Sequence, residues 1–356
     1  MKATIAVLPG DGVGPEVMAE ALALLRVVAE CGGHTFTLCE GVIGGAAIDV
    51  HGNPLPDQTR EICTQAHAVL LGAVGGPRWS NPQAVVRPEQ GLLALRAALG
   101  VHANLRPVTP HPALMRRSPI KGSLLQGVDI LFVRELTGGI YFGDKYRDGD
   151  VAFDVCRYSV AEVERITRLA AVLARGRRRH ITHVDKANVL ETSRLWRETV
   201  DRVLATEFPD VQVSHVLVDT MAMQLVTRPS AYDVILTENL FGDILTDEAA
   251  ALVGSMGLLP SASLNGDGRG LYEPVHGSAP DIAGHGVANP IAMLLSVAMM
   301  FRHSLGLHDE ARLVEDAVVW CMGQRIVTRD LVASSRLHTR DVGKAVCRKV
   351  RELAGP

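Results

Sequence analysis

Short, mainly apolar runs of strand length alternate with helix-patterned stretches along this chain, and that alternation restricts the fold more than any other feature. Residues 3–8 (ATIAVL), 68–72 (AVLLG), 130–135 (ILFVRE), 181–184 (ITHV) and 232–237 (YDVILT) are runs of this kind. They read as strands buried on both faces. His34–Cys39 and Val213–Val218 add two more, while Val17–Ala29, Glu89–Leu99 and Val160–Arg175 carry helical spacing, as do three stretches beyond Pro290. Strands alternating with helices point to an α/β sheet with parallel pairs. At 356 residues the chain has room for two domains of roughly 100–200 residues each. Aromatics make up 4% against 47% apolar residues, so the core must be aliphatic.

Several classes are disfavoured. Thirty-six basic and 39 acidic side chains nearly balance, which argues against a nucleic-acid or membrane-surface role. The one basic run, 175–180, follows an amphipathic helix and reads as its solvated C-terminus. Six cysteines without metal-like spacing suggest reduced, buried thiols and a cytoplasmic location. The N-terminus has no signal-peptide pattern, and the longest apolar stretch, 291–301, falls short of the ~20 residues of a membrane helix.

Chemistry concentrates at the ends of the apolar runs. After 232–237, in NLFGDILTD, Gly242 breaks the chain and Asp243-Ile-Leu-Thr-Asp247 opens a helix with Asp243 and Asp247 at i and i+4, two like charges on one face. They suit either the helix dipole and free N–H groups of a first turn, or a hard divalent cation; the first explains Asp243 better than Asp247. Arg96 lies on a helix face with Leu92, Arg106 enters an extended segment, and Arg134 stands in an apolar strand. A buried arginine needs a partner: Glu135 or Asp129 for a structural pair, or a substrate carboxylate, which the guanidinium fork suits. Tyr141 sits in a glycine-interrupted turn. Lys186 and Asp219 each follow a strand, and a lysine there is either a desolvated base or a snorkelling side chain. The first glycine loop, PGDGVGPE, is spaced GxGxG rather than GxGxxG and reads as a structural turn. Gly75-Gly76-Pro77 is a bend outside a strand end, and 276–286 an irregular polar loop with small residues at its start.

These segments, in this order, resemble the β-decarboxylating dehydrogenases, the family of isocitrate, homoisocitrate and isopropylmalate dehydrogenases. The likeness is carried by LPGDGVGPEV, GAVGGPRW, RPEQGLLALR, ANLRP, RELTGGIYFG, VDKANVLE, NLFGDILTDEA, GSMGLLPSASLN and EPVHGSAPDIAG. It implies an α/β fold of two domains with a central cleft, unlike a Rossmann fold. One domain would comprise residues 1–101 with 254–356, the other 102–253. The implied metal, Mg²⁺ or Mn²⁺, would lie on Asp243 and Asp247, with Asp219 contributed across a subunit boundary. Arg96, Arg106 and Arg134 would hold substrate carboxylates, with Glu89, Leu92, Leu93 and Val189 along the substrate, while Lys186 and Tyr141 form the acid–base pair. NAD would lie along Gly76, His276, Gly277, Ser278, Ala279, Pro280, Asp281 and Asn289, the 76–89 region on its nicotinamide side. Asp281 would face the adenosine ribose and favour NAD over NADP; alternatively it caps the turn 282–284.

The implied activity is oxidative decarboxylation of 3-isopropylmalate to 4-methyl-2-oxopentanoate, in leucine biosynthesis, by a cytoplasmic homodimer with shared active sites. Other 3-substituted malates, a catalytically silent binding role and a metal-free Rossmann-type dehydrogenase are the alternatives. The 143–157 connection is shorter than is usual for the exchanged arm of this family, and Thr220 stands after Asp219 where a small residue or Asn is commoner.

Overall fold

Ala68–Ala73 is buried at every position, as a strand covered on both faces requires. The computed structural model describes residues 1–79 and 84–355. Strands are numbered in chain order: β1 (Lys2–Gly10), β2 (Thr35–Glu40), β3 (Ala68–Ala73), β4 (Ala103–Val108), β5 (Ile130–Glu135), β6 (Lys145–Asp148), β7 (Val151–Asp154), β8 (His180–Asp185), β9 (Gln212–Leu217), β10 (Val234–Thr237), β11 (Pro260–Leu264) and β12 (Gly270–Pro274). The chain divides into two units. The first comprises residues 1–101, 111–117 and 255–356, the second 102–110 and 118–254.

In the first unit the strand order is β2-β1-β3-β12-β11. β1 pairs in parallel with β2 and β3, β3 in parallel with β12, and β11 closes the set antiparallel to β12. Helix Gly14–Gly32 packs against helix Thr339–Ala354. Helix Ile291–His303 is buried on nearly every side, which is why its sequence shows almost no polar face. The first glycine loop turns out to be structural. Asp11 is buried, and its carboxylate accepts the N–H groups of Gly45, Ala46 and Gly75, each at 2.8 Å. Gly12 has φ +58°, and a Cβ there would lie 2.0 Å from the Ser278 carbonyl oxygen. The loop spends its close approach on the chain itself, with Val13 N–H donating to Ser278 O at 2.8 Å.

In the second unit the order is β4-β5-β10-β8-β9, with β4 antiparallel to β5 and every other pair parallel. The parallel strands β5, β10, β8 and β9 therefore end along one edge, where α/β sheets gather ligand-binding residues. Their ends are Glu135, Thr237, Asp185 and Leu217. Helix Val160–Arg175 starts from a reciprocal cap between Ser159 and Glu162. β6 and β7 form an antiparallel hairpin exposed at every residue.

Some expectations are corrected. The stretch 254–265 is not merely a loop: it holds a short 3₁₀ turn, Met256–Leu258, and β11, which is buried throughout. Its Pro, Ser and Ala residues hide a strand whose partner lies only a few residues on. All six cysteines are free, but only Cys63, Cys321 and Cys347 are buried; Cys31 is exposed. The arginines after residue 174 are not simply solvated. Arg175 pairs with Asp210 at 2.6 Å, and Arg177 with Asp129 at 2.9 Å and Asp233 at 2.8 Å. No helix is long and apolar enough among the described residues to cross a membrane.

Candidate active site

Helix Asn239–Val253 carries a dense polar cluster of the second unit. Its N-cap is Glu238, whose side chain accepts the Phe241 N–H at 2.5 Å. Asp243 is therefore a full turn inside the helix, and the capping explanation for it falls away. Its two oxygens are both engaged: one accepts from Arg134, the other from the Tyr141 hydroxyl at 2.8 Å. Arg134 is held a second time by Asn239 Oδ1, through Nε at 3.2 Å and Nη2 at 2.8 Å. The partners proposed from sequence for Arg134 are replaced by these two. Glu135 instead accepts from Thr137, Gly138 and Arg165. The neighbours follow from spacing, because Asn239 and Asp243 stand at i and i+4 on the face turned to β5.

Arg106 comes alongside from β4. Its Nη1 donates to Thr246 Oγ1 at 2.6 Å and lies 3.6 Å from Asp247, while its Nε donates to Asn104 Oδ1 at 2.9 Å. The cluster thus brings together Arg106, Arg134, Tyr141, Asp243 and Asp247, two cations against two anions around one phenol. Burial raises the Asp243 carboxyl pKa, but Arg134, Tyr141 and Arg106 outweigh it and hold the group below the usual range. Tyr141 moves the other way. Burial, the bond to Asp243 and that anion's charge push its phenol up to about 12. It is a proton donor at neutral pH. The Arg134 guanidinium lies 5.8 Å from its ring centre.

A second group of the same unit centres on Lys186, just past β8. Its ammonium donates to Asp219, in the first turn of helix Val218–Thr227, and this bond holds the carboxyl below its ordinary range. The Lys186 backbone N–H donates to Ser193 Oγ at 3.1 Å. Val189 beside it is 61% exposed. Within one chain Asp219 does not converge with Asp243 and Asp247 on a common point.

In the first unit, Arg96 Nη2 donates to Glu273 Oε1 at 2.9 Å. Glu89 is exposed at the start of helix Pro88–Leu99, with Leu92 and Leu93 half-buried behind it. Gly76 is half-buried, and the part of the 76–89 region at 80–83 lies outside the described residues. His276 Nδ1 donates to Gly277 O, 2.9 Å away, while its Nε2 is buried without a partner. Ala279 holds φ +39°, and Pro280 and Asp281 are exposed. The turn after Asp281 is tied by Glu16, which accepts the Gly284 N–H. Asn289 has structural work of its own: Oδ1 accepts from Ile291 N–H at 3.1 Å and Nδ2 donates to Asp330 at 3.1 Å.

The donor chemistry fits the implied groups. Asp243 and Asp247 offer carboxylate oxygens one turn apart, the ligand type of hard divalent cations. Each Asp243 oxygen has one bond and keeps a further lone pair. An orphaned ring nitrogen beside a glycine with open space at its Cβ position, Gly277, suits a nucleotide base. The residues sequence reasoning overlooks are Asn104, Asn239, Thr246 and Asp11. Period-two spacing from Arg106 would have marked Asn104, and i, i+4 spacing from Asp243 would have marked Asn239.

An α/β protein with a tyrosine set against paired carboxylates and arginines is the class this arrangement defines. The chain belongs to the isocitrate/isopropylmalate dehydrogenase family, whose profile matches residues 4–346. It is 54% identical to a 3-isopropylmalate dehydrogenase of Rhodopirellula baltica over 98% of this chain and 99% of that one. A protein of the same name from Geobacillus kaustophilus is 56% identical over 93% of this chain and 90% of its own. Among solved structures, an isocitrate dehydrogenase from Methylococcus capsulatus matches with TM-score 0.86 and 35% identity, covering 98% and 99% of the two chains. A β-decarboxylating dehydrogenase from Thermococcus kodakarensis, in its apo form, matches with TM-score 0.78 and 37% identity, covering 99% and 97%.

Proposed function

We propose that this chain catalyses the NAD-dependent oxidative decarboxylation of 3-isopropylmalate to 4-methyl-2-oxopentanoate, a step of leucine biosynthesis, as a cytoplasmic homodimer. The observation that carries the reading is the Tyr141–Asp243–Arg134 cluster, a high-pKa phenol fixed between an anion and a buried cation. Near-full-length relatives bearing the isopropylmalate name support the substrate.

In this reading Asp243 and Asp247, with Asp219 of a second subunit, would hold Mg²⁺ or Mn²⁺, and His276–Asp281 with Gly76 and Asn289 would hold NAD. When bound, the metal makes the C2 hydroxyl more acidic and offsets negative charge, and NAD accepts the hydride. The chain's own groups do the rest. Arg96, Arg106 and Arg134 orient the two carboxylates, while Glu89, Leu92, Leu93 and Val189 line the C3 substituent. Lys186, once its ammonium has released a proton to solvent, removes the C2 hydroxyl proton as the neutral amine while hydride leaves C2, which becomes a ketone. That ketone lies β to the C3 carboxylate, so the C–C bond breaks, CO₂ departs and its electron pair is left on C3. Tyr141 donates its proton there and is reprotonated from solvent. General acid–base groups of this kind contribute about 10²–10⁴-fold each.

The test is NADH formation with a panel of 3-substituted malates, with and without EDTA. Isopropylmalate should give the highest kcat/KM, with turnover lost on chelation. A higher kcat/KM for isocitrate, homoisocitrate or malate would reassign the substrate. Undiminished turnover in EDTA would remove the metal.

A further inference from the structure

A second group of metal-type side chains lies in the second unit, on the face of β8 and β9 covered by helix Glu191–Glu207. His183 pairs in register with His215 on the neighbouring strand, and Asp185, two residues on, shares their face. His183 and Asp185 are each 1% exposed. The two imidazole Nδ1 atoms are 3.1 Å apart, and Asp185 Oδ2 is 3.5 Å from His183 Nδ1. Among the described residues this is the one group of three such side chains whose donor atoms all converge within 4.8 Å.

The one buried ring nitrogen of the group without a partner is His183 Nε2, and the remaining donor atoms are paired as follows. His215 Nε2 is 2.8 Å from Asp201 Oδ1, which places the ring proton there and leaves a lone pair on Nδ1. Asp185 Oδ1 accepts twice, from Arg197 Nη2 and Ala187 N–H, both at 2.9 Å. Oδ2 accepts only from Arg197 Nε at 2.9 Å, and keeps a lone pair turned toward His183. A proton on His183 Nδ1 bridges to His215 alone, because 3.5 Å to Oδ2 is too long for a hydrogen bond. A single cation placed among them would bridge all three atoms. Tetrahedral zinc with nitrogen and oxygen ligands at roughly 2.0–2.2 Å has ligand–ligand edges of about 3.3–3.6 Å. The observed 3.5 Å falls within that range, 3.1 Å falls just short of it, and the third distance is within 4.8 Å.

We propose that His183, His215 and Asp185 form a site for a divalent transition cation of the Zn²⁺ class, with its fourth position open to water. Asp201 orients His215, as carboxylates behind metal-bound imidazoles do. Trp196 stacks on His183 at 5.6 Å and 8°, fixing the ring before any ion arrives. The charges facing the site are Asp185, Asp201 and the Arg197 guanidinium, so a net negative charge awaits the ion. Two imidazoles and one carboxylate select against Mg²⁺, so this site is chemically separate from the all-oxygen set on helix Asn239–Val253.

The experiment uses full-length protein stripped with EDTA, then dialysed against Zn²⁺ in excess Mg²⁺. Co²⁺ serves as the spectroscopic probe. The expected result is one Zn²⁺ per chain and an intense tetrahedral Co²⁺ absorption. Both should be lost in His183→Ala and His215→Ala and retained in Asp243→Asn with Asp247→Asn. Asp201 is half exposed, so Asp201→Asn tests the site even if the histidine variants fold poorly; affinity should fall about 10–100-fold. Absence of stoichiometric Zn²⁺ overturns the proposal. So does Zn²⁺ that survives His183→Ala in folded protein, or an affinity unmoved by Asp201→Asn.

Discussion

Asp243→Asn probes the helix Asn239–Val253 cluster most directly. The amide keeps the shape and one acceptor oxygen but removes the charge that faces Arg134, Tyr141 and any cation. Arg134 is 3% exposed at its side chain and Asp243 39%. A hydrogen bond to a charged group contributes about 1.5–3 kcal/mol. Stripping one partner from a fully buried ion pair costs about 3–5 kcal/mol. The loss here falls below that range, because Asn239 still accepts two guanidinium N–H groups and solvent screens the exposed part of Asp243. We expect a stability loss of roughly 1–2 kcal/mol without metal, read by denaturant unfolding. Replacing a carboxylate ligand by a neutral amide should raise the Mg²⁺ concentration at half-maximal activity by at least about tenfold, equivalent to ~1.4 kcal/mol. The assay is NADH formation across a Mg²⁺ titration. A midpoint unchanged from the parent, in a variant that has lost the expected stability, would show that Asp243 serves Arg134 and no metal.

Four further outcomes are expected. Lys186→Met should lower kcat by about 10²–10⁴-fold while substrate binding, measured by calorimetry, stays near that of the parent; near-normal kcat removes the base assignment. Leu92→Ala with Leu93→Ala should lower kcat/KM for isopropylmalate relative to malate by about 10–200-fold, the scale of lost methylene contacts, and an unchanged ratio would place the side-chain pocket elsewhere. Asp281→Lys with Ile282→Tyr should erode a strong preference for NAD over NADP, since Asp281 is exposed and repels a ribose phosphate; equal kcat/KM for both cofactors in the parent refutes the placement. His303 is held at a pKa of about 4 by burial, then by Arg302 and His308. A depressed histidine stabilises the fold above its unfolded pKa of ~6.5 and loses that contribution as pH falls towards 4, about 2 kcal/mol by pH 5. His303→Gln should flatten the stability difference between pH 7.5 and pH 5, and an unaltered slope rules the residue out.

The alternation of apolar runs and helical periods specifies much of this fold locally. The spacing of 160–175 marks its helix to the residue, and 130–135 its strand. β11 escapes because Pro, Ser and Ala carry little hydrophobic signal, and its burial comes from neighbours rather than from its own composition. The site is legible in part. Asp243 and Asp247 announce themselves by spacing, and Arg134 by a charge in an apolar strand. What Arg134 binds does not: Glu135 and Asp129 are near in sequence, whereas Asn239 and Asp243 arrive only when β5 and β10 pair. Tyr141 as a high-pKa phenol also follows only from tertiary contact, since nothing in LTGGIYFG places it against a carboxylate.

The division of the chain bears on how it emerges from the ribosome. The first unit needs both ends: β3 must wait for β12, with Val69 and Leu70 pairing to Leu271 and Tyr272. Closing a loop of about 200 residues costs on the order of 5 kcal/mol in chain entropy. The second unit, by contrast, is complete once Gly254 has been made. If it folds first, the effective loop shortens severalfold, and the closure penalty falls by roughly 1 kcal/mol. Until then β3 presents a wholly apolar edge with no partner on its β12 side, the kind of segment that pairs with other chains. Nascent chains stalled between Gly254 and Gly270 should therefore be the most dependent on chaperones.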